Sequence, residues 1–344
     1  MEGQQVTEAN KQRRRGCPGG RLALAQRFPP EAQLYGMGCE QRKGKTMIGR
    51  DLEEPGSVHG VLPIPLMCAR TNKLRRKTAQ ERRPITDRMV RYRVDHLTAA
   101  ESSWIEQDLE RAAEVQRQLL PDERMHIAGW EISYRYQAYA AVGGDYCDVM
   151  TDGAGERDLL VALGDASGKG VAASLMMAQL HAIFHSLVSA SLPIQELMER
   201  ANRVLCKHAV RSSYATLVCV RATSEGGIEL CNAGHCSPLV VGQDGIAQIE
   251  SSGFPLGMFP EAPCSVTKKR LAKGESLFLY TDGLTEARDR CDREYGAERL
   301  LRTVREGSAL PPQALIESCM QSVAAFQAGV PAGDDVTVMA MRCV

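Results

Sequence analysis

Four apolar runs of strand length start or stop on an aspartate beside glycine, and no other feature narrows the fold as far. They are AVGGDYCDV with Asp145, LLVALGDASGKG with Asp165, SLFLYTDGLTEA with Asp282, and PAGDDVTVMAM with Asp334 and Asp335. A single Asp-Gly neighbour is ordinary turn chemistry, since Asp hydrogen-bonds nearby backbone and Gly supplies positive φ. Four of them at the ends of separate strands suit a sandwich whose strand termini meet on one edge. Carboxylates that meet there repel: unit charges ~4 Å apart cost about 1 kcal/mol in water and about 4 kcal/mol at an effective dielectric near 20. Compensating cations are therefore expected. Donors that are all oxygen, without His or Cys, suit a pair of hard divalent ions, Mn²⁺ or Mg²⁺.

The stretch around Asp165 has a competing reading as a nucleotide phosphate loop. That motif needs Gly, four residues, Gly-Lys, then Ser or Thr. Here Gly164 is followed by only three residues before Gly168-Lys169, and Gly170 stands where the magnesium-binding hydroxyl should be. The loop is one residue short and lacks its hydroxyl, so nucleotide binding is disfavoured.

Periodicity places the motifs. EISYRYQAY sets Ile132, Tyr134, Tyr136 and Ala138 on one face at period two. Further strand-like runs fall near 144–150, 158–164, 214–221, 228–232, 237–241, 264–270, 275–281 and 335–342. Turns are expected at Asp152-Gly153 and Asp244-Gly245. Helical patterns cover about 170–189, 193–209, 296–306 and 311–327, with Pro193 and Pro311 where helix starts tolerate proline. Helices come in pairs between sets of strands. That predicts an α+β layering, two packed antiparallel sheets flanked by helices, and not a doubly wound parallel sheet.

With those segments in place, residues 110–344 resemble the metal-dependent PPM-type (2C-like) Ser/Thr protein phosphatases. The resemblance is to the bacterial branch of sporulation stage II E and sigma-factor-regulating phosphatases. It rests on AAEVQRQLLP, VGGDYCDV, GDASGKGVAASLMMA, NAGHCSPLV, GFPLGM, YTDGLTEARD, YGAERL and GDDVTV, in that order. The resemblance implies an α-β-β-α sandwich with two Mn²⁺ or Mg²⁺ ions at one end. Asp145, Asp165 (bridging), the Ala166 carbonyl, Asp282 and Asp334 would be the ligands. It implies hydrolysis of phosphoserine or phosphothreonine on a partner protein by an activated water, without a phosphoenzyme. The branch further implies an anti-sigma-factor antagonist as the phosphorylated partner. A phosphatase-fold module that binds a phosphoprotein without turnover is the alternative.

Secondary roles fall to neighbours of the ligands. Asp335 is expected to orient Asp334, with Gly144, Ser167 and Gly168 lining the site. Other branches of the family carry His two residues after the bridging Asp, where this chain has Ser167. Lys169 either steers a phosphate or stays a solvated turn lysine. His235, in NAGH, is either a site residue or turn packing beneath the sheet edge. His181 and His185 share one helix face four residues apart and are expected to pack the helix.

Composition bounds the rest. Net charge is zero, but residues 1–100 hold 20 Lys/Arg against 10 Asp/Glu, leaving 22 against 32 for the remainder. The region 1–95 breaks every period with Gly, Pro and basic residues and is expected to be a disordered basic arm, with Met89 as an alternative start. Nucleic-acid binding through it is disfavoured. A linker helix is expected over 96–121, with a seam of Ile105, Leu109, Ala112, Gln116 and Leu119 that either dimerises or lies on the following domain, 122–344. The 12 cysteines form no Cys-x2-Cys pair, so free buried thiols are expected and zinc is disfavoured. No run is expected to reach the ~18 apolar residues of a membrane span, and the protein is read as cytoplasmic.

Overall fold

The central strands are buried on both faces, and successive residues turn to different apolar layers. The structure is a computed structural model and describes residues 99–151, 158–208 and 213–344. The expectations for 1–95 and for a turn at Asp152-Gly153 lie outside these residues. Helix α1 (Ala99–Gln118) leads into strands β1 (Arg124–Ile127), β2 (Trp130–Gln137), β3 (Asp145–Thr151) and β4 (Asp158–Ala166). Helices α2 (Val171–Val188) and α3 (Ile194–His208) follow, then β5 (Ala215–Thr223), β6 (Gly227–Ala233), β7 (Leu239–Gly242), β8 (Gly245–Gln248), β9 (Val266–Arg270) and β10 (Ser276–Tyr280). The chain closes with α4 (Asp282–Thr285), α5 (Gly296–Glu306), α6 (Pro312–Gln327) and β11 (Val336–Cys343).

The strands form two antiparallel sheets. One has six strands in the order β1-β2-β11-β10-β7-β8, the other five in the order β3-β4-β5-β6-β9. Between the sheets lie Leu277 and Leu279 of β10, Met339 and Met341 of β11, and Leu159, Val161 and Leu163 of β4. The residues between them point the other way. Phe278, Tyr280, Val338 and Ala340 pack with Leu300, Val304, Leu315 and Ile316 of α5 and α6. Leu160 and Ala162 pack with Met177, Leu180 and Phe184 of α2 and with Leu197 and Leu205 of α3. Three apolar layers result, each fully buried Leu, Phe or Met adding roughly 1.5–3 kcal/mol. This is the α+β layering that pairing of the helices predicted and the α-β-β-α sandwich that the resemblance implied.

Several local expectations shift. Strands β1 and β8 and the single-turn α4 were not foreseen; at four residues each they carry too few apolar positions to show a period. Strand β2 ends at Gln137, so Ala138 leaves the face it was assigned. The Asp244-Gly245 turn is present, joining β7 to β8, with Gly245 at φ 132°. The expectation that no run reaches membrane-span length needs correcting: the 18 residues of α2 are long and apolar enough to cross a bilayer. Their apolarity has a local cause, since Ala173, Met176, Met177, Leu180, Ile183 and Phe184 are buried in the layer against the five-stranded sheet.

The linker seam divides along its length. Trp104, Ile105 and Val115 are exposed on α1, whereas Gln116 is buried and Leu119 and Leu120 pack against the sandwich. The last turn therefore lies on the domain, and the earlier turns present apolar side chains to solvent.

Candidate metal centre

Register brings the first two carboxylates together. In the β3–β4 ladder Asp145 stands directly opposite Asp165, a placement in which like charges destabilise a sheet. Asp282 opens α4 immediately after β10, and Asp334 and Asp335 immediately precede β11. The five-stranded sheet thus supplies Asp145, Asp165 and Ala166, and the six-stranded sheet supplies the other acids across the same rim.

Two hydroxyls fasten the sheets at this end. Asp145 is 1% exposed, and its Oδ2 accepts from Thr337 Oγ1 at 2.6 Å and Thr281 Oγ1 at 2.9 Å. Thr337 N in turn donates to Thr281 Oγ1 at 2.9 Å. Asp335 faces the β2–β3 loop: Oδ2 accepts from Gly144 N at 2.6 Å and Oδ1 from Tyr139 N at 2.7 Å. It also donates its own N–H to Asp334 Oδ1 at 3.1 Å. Gly283 lets these segments meet, since a Cβ there would fall 2.0 Å from the Asp335 carbonyl oxygen.

Electrostatics shows that the acids share one field. Burial first, then Asp145, Asp282, Asp334 and Asp335, push Asp165 up to about 9. Burial, Glu286 and Asp334 push Asp282 up to about 6, opposed by the Gly283 amide and Lys169. Asp145 lies well above its ordinary value, again chiefly by burial, with the Thr337 and Thr281 bonds opposing and Asp335 and Asp282 adding to the rise. Carboxylates held this far from their ordinary range are what a cation pair would relieve. The donor set, carboxylate and carbonyl oxygens only, fits Mn²⁺ or Mg²⁺.

The flanking residues sort differently. Lys169 Nζ binds Asp334 Oδ2 at 2.7 Å and the Gly333 carbonyl, and lies 5.1 Å from the Tyr139 ring centre. It is neither a free turn lysine nor held away from the acids. Gly168 at φ 109° and Gly170 at φ 66° carry the backbone around it in a region that favours glycine. Ser167 Oγ accepts from Tyr214 N at 2.9 Å, so this hydroxyl fastens the start of β5. His235 is buried, with Nδ1 2.8 Å from Thr216 Oγ1, and burial lowers its pKa to about 4. Asn232 closes the turn around it, accepting from His235 N at 2.8 Å. The imidazole is thus held neutral in a turn, with its Nε2 buried and without a hydrogen-bond partner.

Three contributors escaped the sequence. Thr281 and Thr337 lie inside the quoted motifs, but threonine is so common in strands that nothing marked them. Gln116 of α1 grips Gly143 from both sides: Nε2 donates to its carbonyl at 2.7 Å, and Oε1 accepts its N–H at 3.0 Å. Gly143 precedes the Gly144-Asp145 pair, so the linker helix touches the loop that delivers a rim carboxylate.

His181 and His185 depart from expectation as well. Both imidazoles reach Asp148, on the outer face of β3. These three form the trio among the described residues whose ligand atoms all lie within 4.8 Å of one another.

The pattern of the stage II sporulation protein E (SpoIIE) family matches residues 155–344, more than half of the chain. The chain belongs to the SpoIIE family. Its sandwich is the PP2C-type phosphatase domain of that family. The phosphoserine phosphatase RsbU of Bacillus subtilis is 24% identical over 244 residues, covering 69% of this chain and 70% of RsbU. Protein IcfG of Synechocystis sp. is 23% identical over 263 residues, covering 68% of this chain but only 41% of IcfG. The alignments thus span well under half of one of these relatives. Among solved structures, the SiaA-PP2C domain of Pseudomonas aeruginosa superposes with a TM-score of 0.62 at 19% identity, over 71% of this chain and 98% of that one. The RsbU and RsbW domains of a Mycobacterium tuberculosis protein give 0.53 at 28% identity, over 63% of this chain and 60% of theirs.

Proposed function

We propose that this member of the SpoIIE family is a metal-dependent protein phosphatase that hydrolyses phosphoserine or phosphothreonine on a partner protein. The observation that carries the reading is the Asp145–Asp165 pair, set opposite in register and facing Asp282 and Asp334 from the other sheet. Asp145, Asp165, the Ala166 carbonyl, Asp282 and Asp334 would hold two divalent cations, Mn²⁺ or Mg²⁺, which when bound supply an activated water and offset charge on the phosphoryl oxygens.

The chain's own residues do the positioning. Thr281 and Thr337 fix the Asp145 carboxylate. Asp335 holds Gly144, and with it the loop that enters β3. Lys169, half exposed beside Asp334, offers the rim a positive charge toward an incoming phosphate. His235 is buried and neutral and so is not placed to protonate the leaving oxygen, whereas Ser167, whose Oγ accepts from Tyr214 N, keeps its own proton.

Kinship with RsbU supports a place in cytoplasmic signalling, with a phosphorylated anti-sigma-factor antagonist as substrate. The exposed Trp104, Ile105 and Val115 on α1 support self-association through 98–120. A helix-breaking Ala112→Pro should lower the sedimentation-derived mass while basal turnover persists.

The deciding experiment is phosphate release from a phosphoserine protein by the full chain with Mn²⁺, with Mg²⁺ and with chelator. Release that needs the ions and is lost in Asp282→Asn upholds the reading. Binding of the phosphoprotein without release under any ion would replace it with a non-catalytic module.

A further inference from the structure

Asp148 lies three residues beyond Asp145 on the same strand, and the odd offset turns it to the opposite face of the sheet, beneath α2. Two imidazoles from consecutive turns of α2 reach it. His185 Nε2 lies 2.9 Å and His181 Nδ1 3.1 Å from the same oxygen, Asp148 Oδ2. The two rings are 4.1 Å apart, centre to centre.

Hydrogen bonding accounts for only one of the two rings: His185 Nε2 and Asp148 Oδ2 are hydrogen-bonded at 2.9 Å. Asp148 Oδ2 already accepts from Tyr146 Oη at 3.0 Å, and Oδ1 from Val149 N at 2.8 Å. His181 Nδ1 is buried and, despite its proximity to Oδ2, makes no hydrogen bond. A neutral imidazole nitrogen offers the lone pair a metal needs.

We infer that Asp148, His181 and His185 form a binding site for a borderline divalent cation, Zn²⁺ foremost, separate from the acid rim. Two imidazole nitrogens and one carboxylate oxygen are ligands that zinc takes readily, with a fourth position left to water. Bonds near 2.0–2.1 Å in a tetrahedron place ligand atoms roughly 3.3 Å apart, a few tenths of an ångström beyond the 2.9 and 3.1 Å present. The supports that orient a ligating carboxylate are already in place as the Tyr146 hydroxyl and the Val149 amide. His185, 47% exposed at its side chain, leaves a route from solvent. The rim offers hard oxygens only, so the two sites differ in the ions they prefer. An ion at Asp148 would tie β3 to α2 across their packed face.

The test uses the full chain in excess Mg²⁺, so that the oxygen-only rim is supplied with its own ion. Zn²⁺ is titrated in, bound zinc is counted after dialysis, and zinc-edge absorption reads the ligands. One equivalent of Zn²⁺ with two imidazoles in its shell is expected, with affinity lower by on the order of 100-fold in His185→Gln and in His181→Gln. His185 is half exposed, so its replacement leaves the fold intact, and circular dichroism checks this; it decides the matter if His181→Gln misfolds. Absence of bound zinc, a shell of sulfur or oxygen alone, or unchanged affinity in His185→Gln overturns the inference. None of these readouts depends on phosphatase turnover.

Discussion

Asp145 and Asp148 share a strand and a near-complete burial, yet they meet opposite chemistries. Asp145 turns toward the facing sheet, where hydroxyls and further carboxylates surround it; Asp148 turns toward α2, where imidazoles do. Neither residue type nor depth separates them. The pleat does: one step of odd parity moves a carboxylate from an oxygen-only rim to a nitrogen-bearing pocket. A strand with two acidic positions thus presents them to two different sets of donor atoms.

The comparison breaks first at the rim. Asp165→Asn and Asp282→Asn should each lower turnover by about 10²–10⁴-fold, the several kcal/mol expected of metal-assisted charge stabilisation. Steady-state phosphate release measures it, and thermal melts should show no loss of stability. Near-normal rates in both variants would mean that the rim is not the working end.

Titration sharpens the contrast. The folded state raises Asp165 to about 9 and Asp282 to about 6. A carboxyl whose folded pKa is raised binds its proton more tightly folded than unfolded, so stability falls as pH climbs from near the unfolded value, about 4, through the folded one. In chelator, the melting temperature should therefore drop between about pH 4 and pH 9. Asp165→Asn should flatten that decline, and added Mn²⁺ or Mg²⁺ should oppose it. A chelated protein whose melting temperature rises over that window would contradict the shared field.

Thr337→Val comes next. Removing one hydroxyl that orients Asp145 should weaken ion binding by roughly 10–100-fold, readable by calorimetry. Gln116→Ala should cost about 1–3 kcal/mol in urea unfolding, because the buried Gly143 amide loses its acceptor. The smallest effect is expected at His235. With its pKa near 4, His235→Gln should leave the shape of the pH–rate profile between pH 6 and 8 unchanged. A lost limb in that range would return His235 to the chemistry.

Much of this was legible before any coordinates. Strand-end aspartates and paired helices point to a layered sandwich with an acidic rim, because period-two burial and the need to offset clustered charge both leave marks in one dimension. What stayed hidden depends on partners far apart in the chain. Gln116 read as a weak residue in a coiled-coil seam, since its partner Gly143 is a backbone 27 positions away. His181 and His185 read as helix packing, because nothing in SLMMAQLHAIFHSL says that Asp148 faces them. Ser167 read as lining the site, and nothing in its spacing showed that its Oγ accepts from Tyr214 N. Sequence spacing shows what shares a face; it does not show what that face meets.

Strand β11 lies between β2 and β10 in the middle of its sheet, yet it follows every other described element in the chain. It brings Thr337, and the residues just ahead of it bring Asp334 and Asp335. A ribosome-bound chain that has emerged as far as α6 has its six-stranded sheet in two pieces, β1-β2 and β10-β7-β8, and still lacks Asp334 and Asp335. The rim is thus assembled last, as the strand that fills the central gap brings Thr337 to the Asp145 carboxylate.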